Sequence, residues 1–344
     1  MIIKTFKHKK HKMRDKAYEI CRTYLSGQWD NISANDMVVK TISGGYSSQL
    51  YYCSLPDTHE PIDNEPRDVV YRLYGEAVDG DDYKVTNSLI TMLLSERRLG
   101  PKLYGVFAGG RLEEYIKSRP MAYRELRDPD YMLRIAKQLA QIHSMDVPIA
   151  KHPHWLFDTM DQYWAQVVAY TPDPNRPQLI PNPSLERELC AFDYKSESQW
   201  LRQLLSTCGS PVVFSHNDLS EGNILIPEDS TAYEDGMVFI DFEFAAYNYR
   251  GFDLGDYFTE YQFDYTNPEY PHYYAHLDAY PSDHEKRLFI REYIRHSTHL
   301  TSGRQTEDRL VREADYFALA SHLLWWVWGI LKARTSRLRY GYWV

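Results

Sequence analysis

A strand-like run, Pro211-Val-Val-Phe214, leads at once into His216-Asn-Asp218, and Asn223 follows five residues past the aspartate. The run Asn223-Ile-Leu-Ile226, a polar turn from Pro227 to Gly236 and the run Met237-Val-Phe-Ile240 then deliver Asp241. Strand, loop, hairpin, acid is the order that these residues impose. An acid, an amide and a second acid at this spacing can serve a metal-bound phosphate and a nucleophile together.

Phosphoryl transfer asks little covalent chemistry of a protein. Catalysis rests on placing a hydroxyl in line with the γ-phosphorus and on neutralising the phosphate oxygens. Asp218 suits the proton acceptor, while Asn223 and Asp241 offer the hard oxygen ligands that Mg2+ prefers. The arrangement resembles the catalytic loop and metal-binding acid of protein kinases. Two longer segments are more specific: Phe214-Ser-His-Asn-Asp-Leu-Ser-Glu-Gly-Asn-Ile-Leu225 and Ile240-Asp-Phe-Glu-Phe-Ala-Ala-Tyr-Asn-Tyr-Arg-Gly-Phe-Asp253. Both resemble the signature segments of the choline/ethanolamine kinases, and the similarity runs from about Ser43 to the last residue. The resemblance implies ATP and choline or ethanolamine as substrates, with Mg2+ as cofactor. The wording Tyr249-Arg-Gly-Phe252 is closer to choline kinases than to ethanolamine kinases.

Length and composition agree with a soluble enzyme of this kind. A chain of 344 residues, 43% hydrophobic and 25% charged, has material for two lobes with buried cores. Its 29 tyrosines and 8 tryptophans make aromatic-lined pockets plausible. The net charge of −9 argues against a nucleic-acid-binding body. Cys21, Cys53, Cys190 and Cys208 form no C-x-x-C pair, so neither a zinc site nor a disulfide framework is expected, and a reducing cytoplasm fits best. The longest strongly apolar run, Leu323 to Leu331, is far short of the roughly 20 residues that span a bilayer, so no transmembrane segment is expected. No signal peptide is expected either. The lysine-rich stretch Lys4–Lys16 reads as a solvated arm, with contact to anionic lipid as the rival reading. A homodimer is left open.

The fold class expected is α+β: a two-lobed, protein-kinase-like fold with a small antiparallel-sheet lobe and a larger, mainly helical lobe. Residues 1–114, with the basic arm 1–16, form the expected ATP-binding lobe, and residues 115–344 the catalytic and choline-binding lobe. Met13–Leu25 and Val85–Leu99 read as helices, while Met37–Ile42, Tyr51–Cys53, Asp68–Tyr74, Lys102–Phe107 and Arg111–Ile116 read as strands. Beyond them, Pro129–Met145, Trp155–Ala169, Leu185–Leu205, Phe252–Glu260, Asp283–His299 and Glu307–Lys332 read as helices, and the proline-rich Pro172–Pro183 as a surface loop.

On the nucleotide side, the glycines and hydroxyls of Ser43, Gly44, Gly45, Ser47 and Ser48 can bring backbone and donors close to phosphate, although a plain hairpin turn has the same composition. Arg72 sits in the apolar run Val69–Leu73, where a charge needs a partner or a ligand. The resemblance implies that Arg72 contacts the nucleotide phosphates, that Glu96 holds it in place, and that the strand Arg111, Glu113, Glu114, Tyr115, Ile116 is the hinge whose backbone meets adenine. An ordinary strand and an Arg72–Glu96 ion pair without ligand are the plainer alternatives.

A quaternary ammonium donates no strong hydrogen bond, so aromatic faces and a nearby carboxylate must select it. Trp325 and Trp328 share a helix face while Trp326 points elsewhere. Such a stripe alone more often packs a core. The resemblance implies that these two indoles, with Glu260 and Tyr265, line a choline pocket beside Asp218. Ser220 and Tyr261 depart from the glutamine and tryptophan expected there, and the chain reaches Tyr342-Trp-Val344 before a family segment that supplies another aromatic. Glu243 suits either an outer metal shell or a salt bridge, Asp253 a helix cap or a loop brace, and His216 a loop-fixing hydrogen bond. An aminoglycoside-type or protein kinase would share the three catalytic positions without the two-indole face. A non-catalytic module that reads a quaternary ammonium would not need them.

Overall fold

Alternation in Asp68–Tyr74 (β3) buries Val69 and Tyr71 on one face of a sheet and turns Val70 and Arg72 to the other. The computed structural model describes residues 2–42, 48–75, 81–171, 183–336, 338 and 340–342. They fall into two compact units, Met1–Arg119 with Ile226–Ile240, and Pro120–Leu225 with Asp241–Val344.

In the first unit β1 (Val38–Ile42), β2 (Ser48–Ser54), β3, β4 (Leu103–Phe107) and β5 (Gly110–Glu114) form an antiparallel sheet in the order β1-β2-β3-β5-β4. One face packs Val69, Tyr71 and Leu112 with Ala17, Cys21 and Leu25 of helix α1 (Ile2–Leu25) and with Trp29. The Tyr24 hydroxyl ties α1 to the Val106 carbonyl at 2.7 Å. Because that apolar stripe anchors α1 and lysine is a good helix former, the helix starts at Ile2 and takes in the stretch expected as a solvated arm. Cys21 and Cys53, remote in sequence, meet in this core as free thiols. The hairpin Ile226–Ile240 belongs to the same unit, where Tyr233 donates to the Glu114 carboxylate at 2.8 Å and the Glu228 amide to the Lys117 carbonyl at 2.9 Å.

The other sheet face carries charge. Register places Arg72 directly opposite Arg111, a like-charge pair that costs energy unless compensated. Glu113, two residues along and on the same face, accepts from Arg72 Nε at 3.0 Å and from Arg111 Nε. Arg111 also donates to Asn87 of α2 (Asp81–Glu96). Burial raises the Glu113 carboxyl, but Arg111 and Arg72 together bring it down to about 2.

The second unit is built on α3 (Pro129–His143), α4 (Trp155–Ala169), α5 (Pro183–Cys190), α6 (Tyr194–Ser206), α7 (Arg250–Thr259), α8 (Asp283–His296) and α9 (Arg304–Thr335). The single helix expected over Leu185–Leu205 is two: Asp193 caps α6, accepting from the Ser196 amide at 3.2 Å and its hydroxyl at 2.7 Å, and this interrupts the run. Gly251 and Gly255, one turn apart on α7, let α9 approach closely. A Cβ on Gly255 would lie 2.5 Å from the Ala318 nitrogen and 2.7 Å from the Ala314 carbonyl. Arg250 and Glu313 lock the same contact with a buried two-pronged ion pair at 2.9 and 2.6 Å. Among the described residues no helix is long and apolar enough to cross a membrane.

Candidate active site

The strand Val212–Ser215 pairs with Ala246–Tyr249 and releases the chain into His216-Asn-Asp218. Asn217 takes a left-handed backbone, φ 68°. A β-bonded ladder cannot hold that conformation, so side chains fix it. Asn217 donates to the Phe244 carbonyl at 2.8 Å and accepts from Asn248 at 2.8 Å. Asp253 receives the backbone amides of His216 and Asn217, each at 2.7 Å, and is flanked by His143 at 2.9 Å. Burial alone would raise the Asp253 carboxyl. The hydrogen bond and charge of His143, with His216 and the Asn217 amide, hold it below its ordinary value. Asp253 is thus the brace of the loop and not a cap, since α7 already starts at Arg250. His216 Nδ1 accepts from the Asp218 amide at 3.3 Å, which adds a second tie.

Asp218 emerges from this brace with its carboxyl raised well above the usual range, through burial first and then the charges of Asp256, Asp241 and Glu243. Asn223 donates to the Asp218 carbonyl at 2.8 Å and to its Oδ2 at 3.1 Å. With the amide nitrogen engaged there, the Asn223 side-chain oxygen is the atom that could bind a metal. Asp241, left-handed at φ 63°, begins the short turn Phe242–Phe244. Asn223 is thus bonded to Asp218, and Asp241 lies near enough for its charge to raise the Asp218 carboxyl. Hard oxygen donors from one carboxylate and one amide suit Mg2+, which commonly takes one or two protein carboxylates and completes its shell with water and phosphate.

An acid without a motif signal, Asp256, joins this loop to α9. Its Oδ2 accepts from the Leu219 amide at 3.3 Å, and its Oδ1 from the Ser321 hydroxyl at 2.7 Å and the Trp325 indole at 2.8 Å. Burial raises Asp256 to about 6 despite those donors. Gly255 makes the reach feasible, because only close helix packing puts the next residue against Ser321.

Trp325 and Trp328 are half-buried and meet edge to face, centroids 5.7 Å apart, while Trp326 stacks on Trp164 away from them. Phe244 flanks Trp325 at 5.9 Å and Tyr342 flanks Trp328 at 5.8 Å, with Tyr340 next to Tyr342 at 4.8 Å. These tyrosines supply aromatic area that the sequence reading left unassigned. Glu260 is buried, and its carboxyl is raised well above the usual range by burial, then by Asp256, Glu221 and Asp218. The Tyr265 hydroxyl donates to it at 3.3 Å. Glu221, which sequence reasoning also missed, is buried beside them and raised by that burial to about 7. Tyr261, where a tryptophan was expected, packs inward and donates to the Leu126 carbonyl at 2.9 Å, so that departure lies in the core.

Among the nucleotide-side residues, Ser43, Gly44, Gly45 and Ser47 lie outside the described residues. Glu96 is exposed at the end of α2, and Arg72 donates to Glu113. Arg111, Glu113 and Glu114 lie in β5 between β3 and β4, and the Glu114 amide donates to the Lys102 carbonyl at 2.8 Å. Tyr115 and Ile116 follow the strand.

Comparison with known proteins places the site in context. A family profile described as choline/ethanolamine kinase matches residues 39–344. The chain is 42% identical over 335 residues to a human choline/ethanolamine kinase, covering 95% of this chain and 82% of that one. It is 37% identical to mouse choline kinase alpha, covering 96% and 77%. Among solved structures, a choline kinase from Cryptosporidium parvum superimposes with a TM-score of 0.73 at 25% identity, covering 92% of this chain and 88% of that one.

Proposed function

The chain belongs to the choline/ethanolamine kinase family, and on that premise we propose that it transfers the γ-phosphoryl group of ATP to the hydroxyl of choline. The product, phosphocholine, would enter phosphatidylcholine synthesis, and the cytoplasm is the compartment that suits the free thiols. One observation carries the reading: the buried acids Asp218, Asp256, Glu260 and Glu221 interact beside two half-buried indoles. Crowded carboxylates favour a cation, and indole faces favour one clothed in methyl groups.

Asp218 orients the acceptor hydroxyl and takes its proton late, as its raised carboxyl befits. Asp253 holds the loop in register, and Asn223 fixes the Asp218 carboxylate through its amide nitrogen. Asn223 and Asp241 would hold Mg2+, which when bound neutralises charge on the phosphate oxygens. Glu260, Trp325 and Trp328, with Tyr265 at the rim, seat the ammonium head. In the sheet unit, Arg72 steadied by Glu113 is our candidate for a phosphate contact, and the Tyr115–Ile116 backbone for adenine.

The test is ATP consumption by purified protein with Mg2+ and one acceptor at a time: choline, ethanolamine or an aminoglycoside. Choline should give the highest kcat/KM and the aminoglycoside none. Turnover of the aminoglycoside with neither amine active would overturn the proposal.

A further inference from the structure

Tyr265 links the two acids: its hydroxyl donates to Glu260 Oε1 at 3.3 Å, and its backbone amide is near enough to Glu221 to offset part of the rise that burial causes in that carboxyl. Each acid keeps a second oxygen, Glu260 Oε2 and Glu221 Oε2, that is buried and meets no donor among the described residues. The side chains are 8% and 5% exposed, too little for bulk water to satisfy both oxygens. Buried acceptors left without donors are costly, and an ammonium N–H would relieve that cost. Glu221 also lies close enough to raise the Glu260 carboxyl, so the two orphan oxygens belong to one neighbourhood, together with Asp218.

A quaternary ammonium has no N–H to offer them, whereas a primary or partly methylated ammonium does. We propose that Glu221, with Glu260, is the specificity-determining element of the acceptor pocket: its free oxygen hydrogen-bonds an ammonium N–H, while the Trp325–Trp328 face holds methyl groups. The inference rests on the acceptor pocket proposed above. It assigns selectivity between amino alcohols to a residue outside the aromatic wall, placed by the short turn Glu221–Asn223. Loss of that bond would cost acceptors that carry an N–H more than choline, whose methyl groups the indole face favours.

The experiment measures kcat/KM of the parent, Glu221→Gln and Glu221→Asp with ethanolamine, N-methylethanolamine, N,N-dimethylethanolamine and choline. Glu221→Gln should lower kcat/KM for ethanolamine about tenfold more than for choline, chiefly through KM. The loss should shrink with each added methyl group. Choline should lose some activity too, because a nearby charge is gone. Glu221→Asp, which keeps the charge and withdraws the oxygen, should show the same graded loss with a smaller drop for choline. An equal loss across all four acceptors, or no change in their ranking, would overturn the assignment while leaving the kinase reading intact. A parent inactive with every amine would overturn both.

Discussion

The Trp325 indole nitrogen donates to Asp256 Oδ1 at 2.8 Å, so the aromatic wall and the loop that carries Asp218 are held by one carboxylate. Asp256 spans that distance because α7 and α9 touch backbone to backbone at Gly255.

Burial lifts the Asp256 carboxyl to about 6, above its value in an unfolded chain. An acid raised on folding supports the fold fully below its unfolded value and withdraws that support as pH rises through its folded value. Asp256→Asn removes this dependence. The melting temperature of the variant relative to the parent should therefore improve between pH 4.5 and pH 8, with a gain of about 2 kcal/mol at the upper end. A difference that stays flat across that range would show that Asp256 carries no buried charge.

Trp325→Ala takes away one ring of the proposed acceptor pocket and one donor to Asp256. The KM for choline should rise about tenfold, reflecting roughly 1–2 kcal/mol of lost contact, with kcat changed less. Steady-state kinetics at saturating ATP measures this, and an unchanged KM would remove the indole from the acceptor pocket.

Gly255→Ala would drive a Cβ into the backbone of α9, 2.5 Å from the Ala318 nitrogen, where no side chain can yield. We expect a loss of about 1–3 kcal/mol in denaturant unfolding. Gly329→Ala is the matched control, because its Cβ would meet only the Tyr342 carbonyl at 3.6 Å. That change should be neutral or stabilising by about 0.5–1 kcal/mol, as for a helical glycine generally.

Glu113→Gln removes the carboxylate charge shared by Arg72 and Arg111, which face each other across β3 and β5. Breaking a buried pair of this kind costs about 3–5 kcal/mol. Thermal unfolding should show a drop far larger than for Glu96→Gln, since Glu96 is exposed. Equal effects would return Glu96 to the role that the sequence suggested.

Much of the candidate site was proposed from the sequence because its residues are local in the chain. Asp218, Asn223 and Asp241 are joined by short loops and one hairpin, and Trp325 and Trp328 are three apart on one helix, so spacing alone puts each group on one side. Asp256 and Glu221 escaped because an acid in a helix or a turn has no distinctive spacing. Their meaning comes from burial beside partners more than 30 residues away, as with Asp256 and Trp325. Arg72 was suspected of needing a partner, and Glu113 is one that the sequence reading did not name. The signal was present: two-residue spacing puts Arg111 and Glu113 on one strand face, and an antiparallel neighbour brings Arg72 to it. The break between α5 and α6 was also readable, in the Asp193-x-x-Ser196 cap.

The account turns on Asp218 as the acceptor-activating acid of a kinase for a cationic alcohol. Conversion of ATP and choline to ADP and phosphocholine, compared between the parent and Asp218→Asn, tests it most directly. The parent should turn over, and the variant should lose kcat by on the order of 10²–10⁴-fold while its ATP affinity stays within about threefold. A variant that turns over within tenfold of the parent would contradict the account.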